Sequence, residues 1–222
     1  MSAEQSDPGP AKRAYTPALG HRALTPLYDA VIALATRENV WRGRLVDAIA
    51  LKAGERLLDV GCGTGSLLVA LARGTPGAAL VGLDPDPDVL ARAKRRAEAG
   101  IAFKYGFLDE EFVSAHAPFD VVASSLVLHQ TPLETKRRIL RHMRDALRPR
   151  GRLCIADYGL QASGLMRTLF RVTVQALDGV EDTQPNADGV LPALMSEAGF
   201  VDIEEIASVP TLTGAISVWR AR

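Results

Sequence analysis

One ten-residue segment, LLDVGCGTGS at residues 57–66, constrains the fold of this chain more than any other. It joins an apolar run containing Asp59 to a helical pattern through three alternating glycines, Gly61, Gly63 and Gly65. Glycines allow a tight turn and let backbone N–H groups approach a ligand closely. A strand, a glycine turn and a helix in this order predict the first unit of a parallel sheet, with a ligand site at the turn.

Downstream of this segment, short apolar runs alternate with helical patterns, which is typical of βαβ units. The predicted parallel strands cover residues 56–60, 79–84, 101–105, 120–126 and 152–157. The predicted helices between them cover residues 66–73, 86–99 and 133–147. The strands are too uniformly apolar for a sheet with one face in water. We therefore predict an α/β fold, a doubly wound and mostly parallel sheet with helices on both faces.

The alternation of short apolar runs with helical patterns ends after residue 160. Residues 164–178 and 186–198 read as helices, and residues 200–208 and 212–220 read as strands separated by VPTLTG. Two strands joined by so short a connection must pair in the antiparallel sense. The sequence therefore predicts five parallel strands followed by one antiparallel hairpin.

Composition limits the classes of partner. Lys plus Arg and Asp plus Glu number 26 each, so no long-range field favours nucleic acid or an anionic membrane. Eight basic residues lie between Lys136 and Arg152, but no aromatic residues interleave with them as base stacking requires. We interpret this run as solvated helix surface, and we expect no nucleic-acid partner.

The chain length of 222 residues suits one α/β domain. We expect residues 1–20 to be a flexible tail without a signal peptide, and residues 21–222 to be the domain. Within it we predict a helical N-terminal cover at 24–51 and an apolar helical insertion at 160–185. No run approaches the roughly 18 apolar residues of a membrane span. The two cysteines, Cys62 and Cys154, fit neither a metal site nor a disulfide framework, which favours the cytoplasm.

Asp84 is the second candidate binding residue. It ends the second predicted strand in VGLDPD, where a carboxylate can accept hydrogen bonds from both ribose hydroxyls. Asp59, the glycine turn and Asp84 would then meet at the carboxyl edge of adjacent parallel strands. In the alternative interpretation, the glycines serve packing alone and Asp84 caps the next helix.

Glycine spacing separates two classes of ligand. A dinucleotide fingerprint, GxGxxG, would need a third glycine at position 66, but Ser66 stands there and the glycine is at 65. The pattern GxGxG resembles motif I of class I S-adenosylmethionine-dependent methyltransferases. The segments TPLYD, ERLLDVGCGTG, VGLDPD, FDVVASSLVLHQ and LRPRGRLCIADYG are similar in order and spacing to the small-molecule branch that includes ubiquinone and menaquinone C-methyltransferases.

The resemblance implies the strand order 3-2-1-4-5-7-6 with strand 7 antiparallel, and S-adenosylmethionine as cofactor. It also implies roles for nine cofactor-site residues: Asp59, Gly61 and Gly63 at the methionine moiety, Asp84 at the ribose with Pro85 beside it, Phe107 and Leu108 at the adenine, Ser124 on the methionine side, and Tyr28 closing over the site.

The chain departs from the family pattern at two positions. Phe107 stands where members often have an acid for the adenine, with Asp109 as its only nearby substitute. Arg150 replaces a glycine in LRPRG, which we interpret as variation in a surface turn.

His129 follows the fourth predicted strand and would face the transferring methyl group. It is the candidate catalytic residue, a general base for the acceptor, although a role as a loop anchor is the alternative. Met166, Phe170, Val174 and Leu177 form an apolar stripe after the fifth strand. The stripe is interpreted as a lid over the acceptor, as core, or as the face of a homodimer.

These observations predict an enzyme that transfers a methyl group from S-adenosylmethionine to O, N or C of a small, partly apolar acceptor, without a metal. Two alternatives stay open on the residues alone. One is an oxidoreductase that binds a nucleotide of the NAD type, and the other is a cofactor-binding module without catalysis.

Overall fold

The computed structural model describes residues 36–222, and seven strands lie in this part of the chain. They are β1 (Arg56–Val60), β2 (Ala79–Asp84), β3 (Ile101–Tyr105), β4 (Phe119–Ser125), β5 (Leu147–Tyr158), β6 (Glu204–Thr211) and β7 (Gly214–Ala221). They form one sheet in the order β3-β2-β1-β4-β5-β7-β6. Neighbours from β3 to β5 are parallel, and β7 is antiparallel to both β5 and β6. The predicted fold class and strand order are confirmed.

Nine α-helices surround this sheet within the described residues. They are α1 (Glu38–Ile49), α2 (Ser66–Gly74), α3 (Pro87–Arg95), α4 (Glu110–His116), α5 (Leu133–Asp145), α6 (Gly164–Phe170), α7 (Ala176–Asp178), α8 (Val180–Ala187) and α9 (Leu191–Glu197). A π-helical stretch, Arg171–Gln175, connects α6 to α7, and a 3₁₀ turn, Leu128–Gln130, follows β4.

Successive residues of the central strands face two separate cores. Leu57 belongs to the core that contains Trp41 and Leu45 of α1. Its neighbour Leu58 belongs to the other core, with Met143 of α5. Side chains alternate between the two faces of a strand, so an apolar run predicts a sheet covered on both sides. Both faces are covered here, as the sequence predicted.

Two predicted helices have different bounds in the structure. The helix predicted to reach residue 99 ends at Arg95, and a turn ending in Gly100, at φ +91°, leads into β3. The helix predicted over 186–198 is shorter, because Gly189, at φ +82°, separates α9 (Leu191–Glu197) from the end of α8 (Val180–Ala187). Helix α4 was not predicted, although Asp109 followed by two glutamates is a sequence signal for a helix start.

The predicted connection VPTLTG in the C-terminal hairpin was too long. Strand β6 continues through Pro210 to Thr211, and β7 begins at Gly214. Pro210 is tolerated because β6 is the edge strand of the sheet. The hydroxyl of Thr211 accepts from Thr213 N at 3.1 Å and donates to Gly214 O at 2.5 Å, which closes the turn locally.

The apolar stripe on residues 164–178 is divided by the π-helical stretch. Phe170 and Val174 are buried in the core, whereas the Leu177 side chain is 72% exposed. A π-helical turn contains an additional residue, so positions after it are rotated relative to an α-helical face. This rotation explains why the stripe does not continue to Leu177.

No helix in residues 36–222 is both long enough and apolar enough to cross a bilayer.

Candidate functional site

The carboxyl ends of β1, β2, β4 and β5 meet at one edge of the sheet. Val60 pairs with Leu83 on one side and with Ser124 on the other. Asp59, Asp84 and Asp157 thereby lie at the ends of three strands along this edge. Open α/β sheets bind ligands at such an edge, where the connections diverge to opposite faces.

The three glycines of the turn after β1 have positive φ angles, but they meet different surroundings. A Cβ at Gly61 would lie 2.3 Å from Val127 Cγ2, and one at Gly65 would lie 2.9 Å from Phe103 Cζ. A Cβ at Gly63 would meet nothing within 4 Å. Gly61 and Gly65 therefore serve close packing, whereas Gly63, at φ +54°, borders open space. Of the three, Gly63 is the position where a ligand can approach the backbone.

Asp59 is buried without a hydrogen-bond donor among the described residues. The residue is 1% exposed, and neither carboxylate oxygen has a hydrogen-bond partner among residues 36–222. Burial raises the pKa of Asp59 to about 7; nearby Arg42 opposes this rise and Asp84 adds to it. Buried carboxylates usually have donors, so an unpartnered one indicates a missing cationic or N–H group. The predicted role of Asp59 at the methionine moiety would supply such a donor, the ammonium group of the ligand, and it stays a prediction.

Asp84 holds the glycine turn in place. Its Oδ2 accepts from Gly63 N at 2.8 Å and its Oδ1 from Asp86 N at 2.9 Å. Burial raises the pKa of Asp84, and these two hydrogen bonds oppose the rise. Each carboxylate oxygen has a further lone pair that can accept from a ribose hydroxyl. Pro85, which follows, is half-buried. The capping role that the sequence left open for Asp84 belongs to Asp86, which accepts from Asp88 N and Val89 N.

The residues implied at the adenine follow β3. Leu108 is buried in one of the two cores, and Phe107 is 39% exposed. Asp109 accepts from Phe112 N at 3.0 Å as the N-cap of α4. This capping contact accounts for an acidic residue at position 109 without any role in binding adenine. The adenine roles of Phe107 and Leu108 stay predictions.

Two other implied contacts have different outcomes. The Ser124 hydroxyl donates to Val60 O at 2.8 Å, so it joins the ends of β4 and β1. A role of Ser124 on the methionine side stays a prediction. Tyr28 lies outside the described residues, together with residues 24–35 of the predicted N-terminal cover. Arg150 is exposed in β5 with φ +68°, a surface position where a glycine meets no strain.

His129 lies in the 3₁₀ turn after β4 and is 5% exposed. Its Nδ1 is 2.7 Å from Asp157 Oδ1, and its Nε2 is 3.6 Å from Asp178 Oδ2. Burial alone would lower the pKa of His129, but Asp157 and Asp178 outweigh it and raise the pKa to about 9. The sequence argument for a general base assumed a pKa near 6.5. A cationic ring between two carboxylates instead favours the alternative role of His129 as an anchor of its loop.

The loop containing His129 contacts the glycine turn. Val127 lies against Gly61, two residues before His129. The His129 ring packs edge to face on Tyr158, with centroids 4.9 Å apart, and Tyr158 packs on Phe170 at 5.2 Å. His129 therefore lies between the glycine turn and the helices that follow β5.

Sequence reasoning missed the burial of Lys136. Its position within a basic run predicts a solvated side chain, but the residue is 0% exposed, and its partners in the described part of the chain are all backbone carbonyls. No local signal separates Lys136 from the exposed basic residues beside it. In residues 36–222, no cluster of His, Cys, Asp and Glu is suited to hold a metal ion.

Comparisons with known proteins find methyltransferases among the relatives of this chain. A family model described as a methyltransferase domain matches residues 58–153, which span β1 to β5. A demethylmenaquinone methyltransferase from Thermus thermophilus is 31% identical over 157 residues, covering 68% of this chain and 70% of that protein. A phenazine O-methyltransferase from Lysobacter antibioticus is 34% identical over 114 residues, which cover 51% of this chain and 33% of that enzyme.

Solved structures share the fold. Human N-acetylserotonin methyltransferase in complex with S-adenosylmethionine superposes with a TM-score of 0.61 at 20% identity. The match covers 84% of this chain and 53% of the human protein. At this identity the likeness shows the fold alone.

Proposed function

Because the chain belongs to the class I S-adenosylmethionine-dependent methyltransferases, we propose that it transfers the methyl group to a small acceptor bound beside His129. S-adenosylmethionine is its cofactor, and the substrates of this enzyme are small molecules. The observation that carries the proposed geometry is Asp59, a buried carboxylate without a donor at the edge of the glycine turn. A ligand with a cationic group would give this carboxylate the donor that it lacks.

The cofactor would extend from Asp59 to Asp84. S-adenosylmethionine supplies an activated methyl group on a sulfonium. Asp59 would bind its ammonium group, the open side of Gly63 would admit its backbone, and Asp84 would accept from its ribose. The contact between Val127 and Gly61 supports an acceptor position near His129, because both lie at the methionine end of the turn.

The helices after β5 support a partly apolar acceptor. Phe170 and Val174 are buried beside Tyr158, and the Tyr158 hydroxyl bonds to Thr213 Oγ1 at 2.8 Å. Asn186, fully buried in α8, donates to Tyr158 O at 2.9 Å, and its Oδ1 has no partner among the described residues. A mostly apolar wall with a few polar atoms suits a small organic molecule.

Alignment of the two substrates would supply most of the acceleration. Holding the acceptor atom about 3–3.5 Å from the methyl carbon, in line with the bond that breaks, is worth about 7–11 kcal/mol. His129 would orient the acceptor as a cation, with Asp157 holding Nδ1. A role of His129 as general base requires the ring to lose a proton first. The turnover of His129→Gln decides between the general base and the cationic anchor.

The basic run on α5 and β5 supports the absence of a nucleic-acid partner. Arg137 pairs with Glu134 and Glu197, Arg148 with Asp120, and Arg152 with Glu55. Paired cations attract phosphates less strongly than free ones.

Location and assembly complete the proposal. Cys62 and Cys154 are both free, which supports a reducing compartment such as the cytoplasm.

The exposed side chains of Leu165, Val172 and Leu177 support a homodimer that forms through the helices after β5. A measurement of the molar mass in solution tests this assembly.

Calorimetry with S-adenosylhomocysteine and NAD tests the cofactor site. We expect Gly63→Ala to abolish binding of S-adenosylhomocysteine, because the methyl group fills the open side of the turn. Gly54→Ala is the matched control, since Gly54 also has a positive φ and open space but precedes β1. Binding of NAD in preference to S-adenosylhomocysteine would contradict the proposal and favour the oxidoreductase. Methyl release on a panel of phenols, amines and carboxylic acids separates an enzyme from a binding module.

A further inference from the structure

Lys136 is the most deeply buried cation among the described residues. It lies in the first turn of α5 and is 0% exposed, and burial lowers the pKa of its ammonium to about 8, against the attraction of Asp157 and Asp182. Burying an ammonium group is costly unless its hydrogen bonds are satisfied. An apolar residue at this position would avoid that cost, so the cation requires an explanation.

Among residues 36–222, all the hydrogen-bond partners of Lys136 Nζ are backbone carbonyls. Three belong to the loop after β4: Leu128 O at 2.6 Å, His129 O at 3.3 Å and Thr131 O at 2.5 Å. The fourth, Asp182 O at 2.8 Å, belongs to α8. An ammonium has three N–H groups, so the four carbonyls share them. The same cation therefore connects the His129 loop to a helix that follows β5.

Asp157 holds the opposite side of that loop. Its Oδ2 accepts from Val127 N at 3.1 Å and Leu128 N at 2.7 Å, while its Oδ1 faces the His129 ring. Backbone N–H groups of this loop thus donate to a buried anion, Asp157, and its backbone carbonyl groups accept from a buried cation, Lys136. Charge-assisted hydrogen bonds of this kind are about twice as strong as neutral ones.

We propose that Lys136 is a positioning residue. Its ammonium group fixes the loop after β4, so that the His129 ring stays against Asp157. The same ammonium group joins this loop to α8 on the acceptor side. The proposal rests on the proposed function only in taking the space beside His129 as the acceptor site. In this role Lys136 would act through the loop and α8, whose backbone carbonyls it binds, and not through a contact with the cofactor or the acceptor.

The pKa of His129 distinguishes positioning from simple electrostatics. Removing a nearby cation, with the ring unmoved, would raise the pKa of His129 further because a repulsive charge is lost. Releasing the loop would separate the ring from Asp157, and the pKa would fall from about 9 towards its ordinary value of about 6.5. The two effects have opposite signs.

The experiment compares Lys136→Met with Arg138→Met in the full chain. Methionine is similar in length to lysine but donates no hydrogen bond, and Arg138 is an exposed cation two residues further along α5. NMR titration of histidine-labelled protein gives the pKa of His129, whose signal is identified by its absence in His129→Gln. Calorimetry with S-adenosylhomocysteine measures the cofactor site separately.

We expect Lys136→Met to lower the pKa of His129 by at least one unit, with affinity for S-adenosylhomocysteine within threefold of wild type, and Arg138→Met to change neither. An unchanged or raised pKa overturns the proposal, as does loss of cofactor binding in Lys136→Met alone. If Lys136→Met does not fold, Lys136→Gln, which keeps an N–H donor, replaces it, and failure of both shows that Lys136 serves folding instead. Wild-type protein that does not bind S-adenosylhomocysteine contradicts the proposed function, not this inference.

Discussion

His129 Nδ1 lies 2.7 Å from Asp157 Oδ1, and the same carboxylate accepts from two backbone N–H groups of the loop that contains His129. The anion at the end of β5 therefore sets both the conformation of this loop and the charge of its histidine. Because the two residues are 28 positions apart, the pair exists only in the folded chain.

The first prediction concerns stability and pH. The pKa of His129 is raised to about 9 in the folded chain, against about 6.5 when unfolded. A raised basic pKa stabilises the fold fully below about pH 6.5, and this contribution is lost as pH rises through about 9. Urea unfolding should show that His129→Gln costs on the order of 2–3 kcal/mol at pH 6 and much less at pH 9.5. His116→Gln controls for losing a histidine, and an equal cost at both pH values would contradict the ion pair.

The second prediction concerns turnover. General base catalysis is worth roughly a hundred- to ten-thousandfold, and removing the base also removes the acidic limb of the pH profile. If His129 is instead a cationic anchor, His129→Gln should lower kcat by less than about a hundredfold and leave that limb in place. Steady-state kinetics on an acceptor from the panel measures both quantities. A larger loss together with a missing acidic limb would restore the general base.

The third prediction separates function from stability at Asp59. Asp59→Asn removes an unpartnered buried charge, so it should raise the free energy of unfolding above pH 7, where Asp59 is ionised. The raised pKa means that Asp59 itself destabilises the cofactor-free fold as pH rises from about 4 through about 7. Affinity for S-adenosylhomocysteine should fall roughly ten- to a hundredfold, because the ammonium loses its anion. A variant that is less stable and binds equally well would show that Asp59 has a structural partner.

The fourth prediction concerns Asp84. Charged hydrogen bonds to the ribose contribute about 1.5–3 kcal/mol, so Asp84→Ala should raise the dissociation constant of S-adenosylhomocysteine roughly ten- to a hundredfold. Asp86→Ala is the control, because Asp86 caps α3 and should affect stability without a comparable loss of affinity. Unchanged affinity in Asp84→Ala would restrict Asp84 to holding the glycine turn.

The fifth prediction concerns Arg150. This residue is exposed and has φ +68°, a left-handed conformation that costs side chains other than glycine about 1–2 kcal/mol. Arg150→Gly should therefore raise the free energy of unfolding by about 0.5–1 kcal/mol, after the greater entropy of glycine in the unfolded chain is subtracted. Urea denaturation measures this change, with affinity for S-adenosylhomocysteine expected to stay constant. A destabilised variant would show that the Arg150 side chain makes a contact that offsets the strain.

Local sequence patterns predicted β1, β2 and β3 with the bounds that the structure has, because short apolar runs between glycines and helix starts leave few alternatives. The order of the strands came from a family resemblance rather than from periodicity. The hairpin turn was placed less well, since it depends on hydrogen bonds of Thr211 that hydropathy does not describe.

The properties of the candidate site also divide into those that local sequence patterns predict and those that tertiary contacts decide. Asp59, Gly63 and Asp84 were predictable because their positions follow from the ends of strands and from the glycine spacing. The charge of His129 was not predictable, since Asp157 and Asp178 approach it from other elements.

By itself, the sequence determined the first three strands, the glycine turn and the acids beside it, because each depends on residues close together in the chain. Only the tertiary structure decided which ionisable groups lose water and which charges they meet. Lys136 and its exposed neighbour Arg138 belong to the same basic run, but Lys136 is buried against four carbonyl groups. Burial and pairing are properties of the packed chain, and they set the pKa values on which the chemistry of this site depends.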